Sequence, residues 1–338
     1  MGKKEMLASL LSATGVTALG ARRRGRRGGM LSILAYHRVL DIGPEDAFAH
    51  DPELVSASPA EFEWQMRALL RHYRPVRLGD ALRDLERGKA LVPGAVAITF
   101  DDGHRDNYEH AFPILARLGI PATIFLATGY IDRPGTFWFD EVAALLYRSP
   151  HASIRLRGLD LNLELGGVSR RRAASQILLA RLKQVPDAQR RAALGELRSE
   201  SGVVDAVDDG SGALSWKQVM EMRDGGIEFG SHTVSHPILS RVDEADLHAE
   251  LAGSKRELEA RLGVPVALLA YPVGGESAYD DRVVRVARQC GYRLALTYVP
   301  GVARWPPSDP FALPRLHVER YTTRARFEAM LAFPRLFA

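Results

Sequence analysis

The chain has 338 residues, of which 46% are hydrophobic, enough to bury the core of one large domain or of two smaller ones. The net charge of +4 comes from residues 1–30, where seven Lys and Arg stand against one Glu, so the rest of the chain carries a net charge of −2. This main body has no basic stripe interleaved with aromatic residues, which excludes nucleic acid as its partner. A single cysteine, Cys290, excludes an intramolecular disulfide, and its helical surroundings predict a buried core position.

Residues 1–29 form a basic segment with two interpretations. A positive start, the apolar stretch 7–21 and its small residues are typical of a signal peptide for export. Glu5 and the arginine run 22–27 favour instead an amphipathic helix, and fewer than about 18 apolar residues argue against a membrane-spanning one. We expect this helix to contact an anionic membrane from the cytoplasmic side or to pack on a partner. The protein is then cytoplasmic or peripheral on the inner membrane face, with export as the alternative.

Strand patterns and helical patterns alternate along most of the chain. A strand over 31–37 is followed by the loop 41–59 and by a helix that begins at the capping box Ser58-Pro-Ala-Glu61 and ends near His72. Later strands are predicted at 95–100, 121–127, 226–231, 265–271, 292–297 and 313–318, and later helices at 79–88, 109–118, 242–262, 279–290 and from 323. This alternation predicts a parallel sheet, and about seven strands favour a closed α/β barrel over an open sheet.

Residues 130–215 interrupt the alternation. Helical patterns cover 137–146, 170–182 and 188–197, the stretch 153–165 predicts a hairpin, and the acidic, glycine-rich stretch 205–212 predicts a flexible linker. We interpret the region as a mainly helical insertion over the barrel mouth, which shapes a substrate cleft or serves as a purely structural cap. The chain then divides into the basic segment 1–29, the first barrel part 30–129, the insertion 130–215 and the second barrel part 216–338.

Two adjacent carboxylates stand where a buried strand ends. Asp101 and Asp102 follow the apolar run 95–100 and precede Gly103, so the strand delivers both to its carboxyl end, where parallel α/β proteins place their chemistry. Neighbouring strand side chains point to opposite sides, which allows the two aspartates different roles. The alternative is structural, with one aspartate capping a helix and the other shaping a turn. We expect the next residue, His104, to be exposed on the loop.

A second strand end carries His232 and His236. One helical turn between them would place both imidazoles on one side, and Pro237 disfavours helix at His236, so the turn should stop there. Two histidines at this spacing and a carboxylate from elsewhere are a frequent ligand set for a catalytic divalent metal, zinc first, with one position left open for water.

Two further strand ends carry candidate residues. Tyr271, Pro272 and Gly274 offer a rigid wall and room for a ligand near the backbone, unless they make an ordinary turn. On the last strand, the period of two places Arg315 and His317 on one side, which could face the same mouth.

Four motifs together resemble one family. They are Thr99-Phe-Asp-Asp-Gly103, His232-Thr-Val-Ser-His236, Tyr271-Pro-Val-Gly274 and Leu316-His317. In this order they resemble the polysaccharide deacetylases of the NodB-homology type, carbohydrate esterase family 4, over roughly residues 31–320. Tyr36-His37-Arg38-Val39 is similar to the branch with de-N-acetylases of exopolysaccharide and capsule synthesis. The resemblance implies a distorted (β/α)7 barrel and metal-dependent hydrolysis of N-acetyl groups, with an N-acetylated glycan or sugar precursor as substrate.

The resemblance also implies roles for individual residues. Asp102, His232 and His236 would bind one divalent metal ion, with Zn²⁺ first and Co²⁺ or Ni²⁺ as alternatives. Asp101 would be the general base for the attacking water and His317 the general acid for the departing amine. A backbone N–H near Tyr108 would help to hold the oxyanion. We also expect His37 to line the pocket.

The chain departs from the family pattern at Ala270, where many members carry the arginine that orients the base. We expect Arg315, or else Arg38, to supply that charge, and Tyr298 or Trp305 to form a pocket wall. Two alternatives stay open. The same site could hydrolyse a non-glycan amide or an ester, or the barrel could bind glycans without catalysis.

Overall fold

The computed structural model describes residues 2–43, 48, 50–133, 135–204 and 212–337. The strands are β1 (Met30–Tyr36), β2 (Arg38–Val39), β3 (Val55–Ala57), β4 (Arg74–Pro75), β5 (Ala95–Phe100), β6 (Thr123–Leu126), β7 (Ser153–Leu156), β8 (Leu161–Glu164), β9 (Glu228–Ser231), β10 (Leu268–Ala270), β11 (Leu294–Pro300), β12 (Ala303–Arg304) and β13 (Leu313–His317). The helices are α1 (Lys3–Ala13), α2 (Val16–Gly25), α3 (Pro59–Leu70), α4 (Leu78–Glu86), α5 (Phe112–Leu118), α6 (Trp138–Arg148), α7 (Val168–Leu182), α8 (Asp187–Glu200), α9 (Trp216–Asp224), α10 (Glu244–Leu262), α11 (Asp281–Gln289), α12 (Arg324–Ala332) and α13 (Pro334–Phe337).

Seven parallel strands close into a barrel, in the order β1, β5, β6, β9, β10, β11, β13 and back to β1. Leu34 of β1 pairs with Ile98 of β5 on one side and with Leu316 of β13 on the other. All six residues of β5 are buried, as expected for a parallel strand covered on both faces. The predicted (β/α)7 barrel is therefore confirmed.

The period of two along each strand sorts side chains into two layers. Leu31, Ile33 and Ala97 belong to one buried cluster, which also contains α4 residues. Their strand neighbours Leu34 and Ile98 belong to a second cluster, which includes residues of α3, α5 and α12. Inward positions recur at every second residue of a strand. The inward-facing side chains of β5 and β13 are therefore apolar along the barrel and polar at the carboxyl ends of these two strands.

The inserted region has its own hydrophobic core. Residues of α6, β7, β8, α7 and α8 form one buried cluster, which is joined to the barrel through Ile238 and Ala278. The helices and the antiparallel hairpin of β7 with β8 agree with the sequence patterns. The division into four parts remains a prediction, and residues 205–211 of the predicted linker lie outside the described residues.

Three sequence expectations need correction. Residues 3–25 form two helices rather than one, because Gly15 adopts a positive φ of 74° between them. The loop 41–59 contains a short strand, β3, paired with β2. Cys290 is partly exposed rather than buried, because it stands at the C-terminal cap of α11. Across the part of the chain that the structure describes, no helix has both the length and the apolar character to cross a membrane.

Candidate active site

A strained turn after β5 separates the two carboxylates. Asp102 has a φ of 73° and Gly103 a φ of 82°, and a Cβ on Gly103 would come within 2.4 Å of the Leu126 side chain. The left-handed backbone at Asp102 is costly for a residue with a Cβ, and such strain is concentrated at functional sites. The turn gives the two neighbouring aspartates different surroundings, as predicted.

Asp101 is held by an arginine from the far end of the chain. Both guanidinium nitrogens of Arg315 donate to its carboxylate, at 2.8 Å to Oδ1 and 2.6 Å to Oδ2. Arg315 is fully buried and also donates through Nε to the carbonyl oxygen of Thr297. Of the two arginines considered from sequence, Arg315 makes this contact, whereas Arg38 donates to Asp106.

The arginine also controls the charge of Asp101. Burial by itself raises the pKa of this carboxyl, but the charges of Arg315 and His232 lower it more strongly. The pKa of Asp101 therefore lies below its ordinary value, and the group is an anion at neutral pH.

Asp102, His232 and His236 converge from two strand ends. Oδ1 of Asp102 lies 3.4 Å from Nε2 of His232 and 3.2 Å from Nε2 of His236. All three residues are buried, and their ligand atoms lie within 4.8 Å of one another. Two ligand atoms that each lie roughly 2.1 Å from a cation at tetrahedral angles are roughly 3.4 Å apart, so this spacing suits a divalent metal.

The surroundings of the three groups also suit a metal. Nδ1 of His232 lies 2.8 Å from the carbonyl oxygen of Ala270, an arrangement that leaves Nε2 as the lone-pair donor. Among the described residues, Oδ1 of Asp102 finds no hydrogen-bond partner although it is buried. A buried anionic oxygen without a donor is costly, and a cation would satisfy it. Ala270, the position at which the sequence lacks the expected arginine, thus orients His232 through its backbone oxygen.

The two histidines are brought together by a bent loop rather than by the predicted helical turn. Thr233 and His236 both have positive φ, at 69° and 55°. Glu250 of α10 fixes the loop by accepting hydrogen bonds from the backbone N–H groups of Val234 and Ser235. The imidazole rings of His232 and His236 come to 4.8 Å between centroids.

The insertion also supports the loop that carries His232 and His236. Nε1 of Trp138, the first residue of α6, donates to the carbonyl oxygen of His236 at 2.9 Å. Arg190 of α8 lies over the Trp138 ring, 4.7 Å from its centroid, and is itself paired with Asp187. The insertion therefore helps to position a candidate metal ligand.

His104 is buried, not exposed as the sequence suggested. Its Nε2 lies 3.3 Å from Oδ2 of Asp102, and its ring packs edge-on against Phe137 at 4.6 Å between centroids. Burial raises the pKa of Asp102, but its close contacts with His104, His232 and His236 bring it well below the ordinary range. His104 therefore adds a contact to the Asp102 carboxylate, on the oxygen that faces away from the two other histidines.

The two aspartates and both histidines open into one cavity of about 280 Å³. Barrel and insertion both contribute to its wall, which also includes His37, Asp51, Glu53, Leu54, Trp138, Phe139, Leu179, Lys183, Val273, Tyr298 and Glu319. Lys183 comes from the segment after α7. Neither Lys183 nor Asp51 and Glu53 carry a sequence signal that could have singled them out.

The two other histidines predicted to act at the site, His37 and His317, lie on opposite sides of the cavity wall. His37 lines the cavity, with Nε2 4.0 Å from Oδ2 of Asp101. His317 is stacked on the ring of Tyr298 at 3.6 Å and lines a separate cavity that contains Glu5. Burial, followed by the charge of Arg315, lowers the pKa of His317 to about 3, so its imidazole is neutral at neutral pH.

Several predicted pocket residues lie elsewhere. Tyr108 binds Glu221 of α9 through its hydroxyl and does not line the cavity. Tyr271 points to the opposite side of its strand, where its hydroxyl donates to the carbonyl oxygen of Phe311. Trp305 belongs to the buried cluster that includes α4, so of the two aromatic candidates only Tyr298 forms the wall.

The third motif acts through its backbone. Pro272 and Gly274 do not line the cavity, but Val273 between them does, with a φ of 63°. Gly274 is needed because a Cβ there would lie 2.6 Å from the backbone nitrogen of Tyr298. This close approach lets Tyr298 form the cavity wall.

Fold and site together define a barrel hydrolase whose ligand set suits a metal centre. A family model for polysaccharide deacetylases matches residues 89–295, which is more than half of the chain. The chain therefore belongs to the polysaccharide deacetylase family, with the NodB-type barrel, and is a hydrolase of the deacetylase class.

Individual relatives are distant. A Bacillus subtilis strain 168 protein classed with the polysaccharide deacetylases, YxkH, is 22% identical over 272 residues, covering 80% of this chain and 68% of that protein. A poly-β-1,6-N-acetyl-D-glucosamine N-deacetylase of Staphylococcus epidermidis is 33% identical over 105 residues, which is 29% of this chain and 36% of the relative.

Solved structures share the fold. The Streptococcus pyogenes deacetylase PplD, in complex with acetate, is 20% identical with a TM-score of 0.58, covering 88% of this chain and 96% of that chain. IcaB from Ammonifex degensii is 21% identical with a TM-score of 0.57, covering 92% and 99%. At these identities the likeness supports the barrel and does not transfer residue roles.

Proposed function

We propose that this protein is a metal-dependent N-deacetylase that removes acetyl groups from an N-acetylated glycan or glycan precursor. The observation that carries the proposal is the single cavity in which Asp101, held by Arg315, stands beside the cluster of Asp102, His232 and His236. Hydrolysis of an amide needs an activated water, a stabilised oxyanion and a proton for the amine. The cavity offers candidates for the first two, and histidines beside it are candidates for the third.

Asp102, His232 and His236 would hold one divalent cation, with Zn²⁺ first because two imidazoles and a carboxylate suit it. Such a cation supplies Lewis acidity, which polarises an acyl oxygen and makes water easier to deprotonate. The residues of the chain fit this role, since both Nε2 atoms and Oδ1 lie within 4.8 Å of one another.

Asp101 serves as the general base in this proposal. Arg315 keeps the carboxylate ionised and fixes its orientation through two hydrogen bonds. Each carboxylate oxygen has a second lone pair, which stays available to accept a proton from water. The arginine thus replaces the one that many relatives carry at the position of Ala270.

In this proposal His317 passes a proton to the leaving amine; because its imidazole is neutral at neutral pH, it first takes up the proton that Asp101 removes from the water. Among the described residues, its Nε2 is buried without a hydrogen-bond partner, so the atom is available for such a role. His37 is the second candidate, since it lines the cavity and lies 4.0 Å from Asp101. Both rings contact Tyr298, which could position either of them.

The substrate assignment rests on the family and on the cavity wall. Relatives in this family are named poly-β-1,6-N-acetyl-D-glucosamine N-deacetylases. The wall combines three aromatic residues, Trp138, Phe139 and Tyr298, with the carboxylates of Asp51, Glu53 and Glu319. Apolar surface with a few convergent polar groups suits a sugar ring and its hydroxyls.

The test is to measure acetate released from N-acetylated oligosaccharides, lipid-linked sugars and sugar nucleotides by protein with one bound Zn²⁺ per chain. We expect release from at least one of them, loss after chelation and recovery on adding Zn²⁺ back. Simple non-glycan N-acetyl amides and acetyl esters form the comparison set. If these are hydrolysed while no glycan is, the glycan assignment is wrong.

A further inference from the structure

Helices α1 and α2 pack on the body of the protein with their small residues inward. Ala8, Thr17 and Ala21 are buried, and both helices contact α12. Gly20 of α2 lies so close to Phe333 that a Cβ on this glycine would be 2.4 Å from the Phe333 ring. The buried side of this helix pair therefore holds few large side chains.

The large apolar side chains point the other way. Met6 and Leu10 of α1 are 57% and 60% exposed, and Leu19 of α2 is 69% exposed. Met6 and Leu10 are four residues apart and so lie on one side of their helix. A helix that only covered a protein core would turn such residues inward, so this pattern indicates a second apolar surface that receives the outer face.

Positive charge surrounds the exposed apolar residues. Arg22 and Arg23 follow Leu19 by three and four residues, are exposed, and therefore share its face. Lys3 precedes Met6 by three residues and is also exposed. The only acidic residue of these two helices, Glu5, faces the body and accepts a hydrogen bond from Thr323.

A cavity of about 530 Å³ lies at the C-terminal end of α2. Three arginines, Arg24, Arg27 and Arg335, line it together with the exposed Leu336. Burial lowers the pKa of Arg24; Tyr73 opposes this shift, and the neighbouring charges of Arg27 and Arg335 add to it. Three guanidinium groups around one opening suit the phosphate of a lipid headgroup.

We propose that α1, α2 and this arginine-lined cavity form a docking surface for an anionic lipid bilayer. Met6, Leu10 and Leu19 enter the interfacial region, and the arginines contact anionic headgroups. Glu5, on the opposite side of α1, lines the separate cavity that also contains His317.

The test is co-sedimentation of the full chain with vesicles. We expect binding to mixed phosphatidylglycerol and phosphatidylcholine vesicles, weakening with added salt, and no binding to phosphatidylcholine alone. The triple variant Met6→Ser, Leu10→Ser, Leu19→Ser and the double variant Arg22→Gln, Arg23→Gln should each lower the partition coefficient roughly tenfold or more.

Matched controls come from exposed residues on other surfaces. Ile177→Ser with Val264→Ser, at 53% and 52% exposure, and Arg155→Gln with Arg157→Gln should leave vesicle binding unchanged. The proposal is overturned if wild-type protein does not bind the anionic vesicles, or if the triple variant binds as tightly as its control. It is also overturned if ultracentrifugation shows a dimer that the triple variant loses while no vesicle is bound, because the face would then join two copies.

Discussion

Arg315 of β13 extends across the barrel and donates a hydrogen bond to each carboxylate oxygen of Asp101, at 2.8 and 2.6 Å. Because Arg315 is fully buried, the pair is shielded from solvent. Removing one member leaves an uncompensated buried charge, which costs about 3–5 kcal/mol in comparable pairs. The pair therefore links the stability of the barrel to the charge of the candidate base.

Arg315→Ala should move the acidic limb of the pH profile of kcat/KM to higher pH. Without the guanidinium, burial dominates and raises the pKa of Asp101. In the wild type, the lowered pKa of Asp101 also stabilises the folded state. This stabilisation is present above the pKa of an aspartate in the unfolded chain, about 3.9, and is lost as the pH falls through the pKa of Asp101 in the folded protein. Arg315→Lys should lie between the two, since it keeps the charge and loses the paired geometry. An unchanged rate and an unchanged acidic limb in Arg315→Ala would rule out this role.

Loss of metal should follow substitution of the three candidate ligands. Asp102→Asn, His232→Asn and His236→Asn should each reduce bound Zn²⁺ well below one ion per chain, measured by elemental analysis after dialysis. Adding Zn²⁺ to metal-free wild type should raise Tm, because a ligand that binds only the folded state stabilises it. His248→Asn serves as the control histidine outside the cavity. Full zinc occupancy in all three variants would refute the assignment.

The two candidate acids can be separated by the leaving group. An amine must be protonated to leave, whereas 4-nitrophenolate need not be. We expect His317→Asn to lower amide hydrolysis by roughly 10²–10⁴-fold and to spare 4-nitrophenyl acetate hydrolysis. The matched variant His37→Asn should affect both substrates alike. If His37→Asn lowers only amide hydrolysis while His317→Asn affects both substrates alike, His37 is the proton donor.

Trp138→Phe should weaken metal binding while leaving the fold intact. The change removes the hydrogen bond to the backbone of His236 and keeps an aromatic ring under Arg190. Groups that orient metal ligands typically contribute 10–100-fold to affinity, so zinc affinity measured by chelator competition should fall by roughly that factor. Trp64→Phe, on α3, is the control. Equal affinities for both variants would mean that Trp138 only packs.

Much of this arrangement follows from period and order in the sequence. Apolar runs alternating with helices predicted the barrel, and the period of two on β13 placed Arg315 beside His317 on one face. The same period explains the placement of Tyr271, since Ala270 is the inward neighbour and Tyr271 must point outward. The grouping of Asp102, His232 and His236 followed from three motifs at the ends of parallel strands.

Other features depend on distant contacts that no local pattern records. His104 is buried because Phe137 of the insertion covers it, and residues so far apart in the chain give no joint signal. The bent loop at Thr233 depends on Glu250 from the following helix. Tyr298 stands between the cavity and His317 because Gly274 lets its backbone approach, which no strand pattern could indicate.

The central claim is that Asp101 acts as a base beside a metal held by other residues. The most direct measurement compares acetate release by wild type and Asp101→Asn on the same N-acetylated oligosaccharide, with zinc content determined in both. We predict one Zn²⁺ per chain in each protein and a rate roughly 10²–10⁴-fold lower in the variant. A fully zinc-loaded Asp101→Asn protein that releases acetate at the wild-type rate would contradict the account.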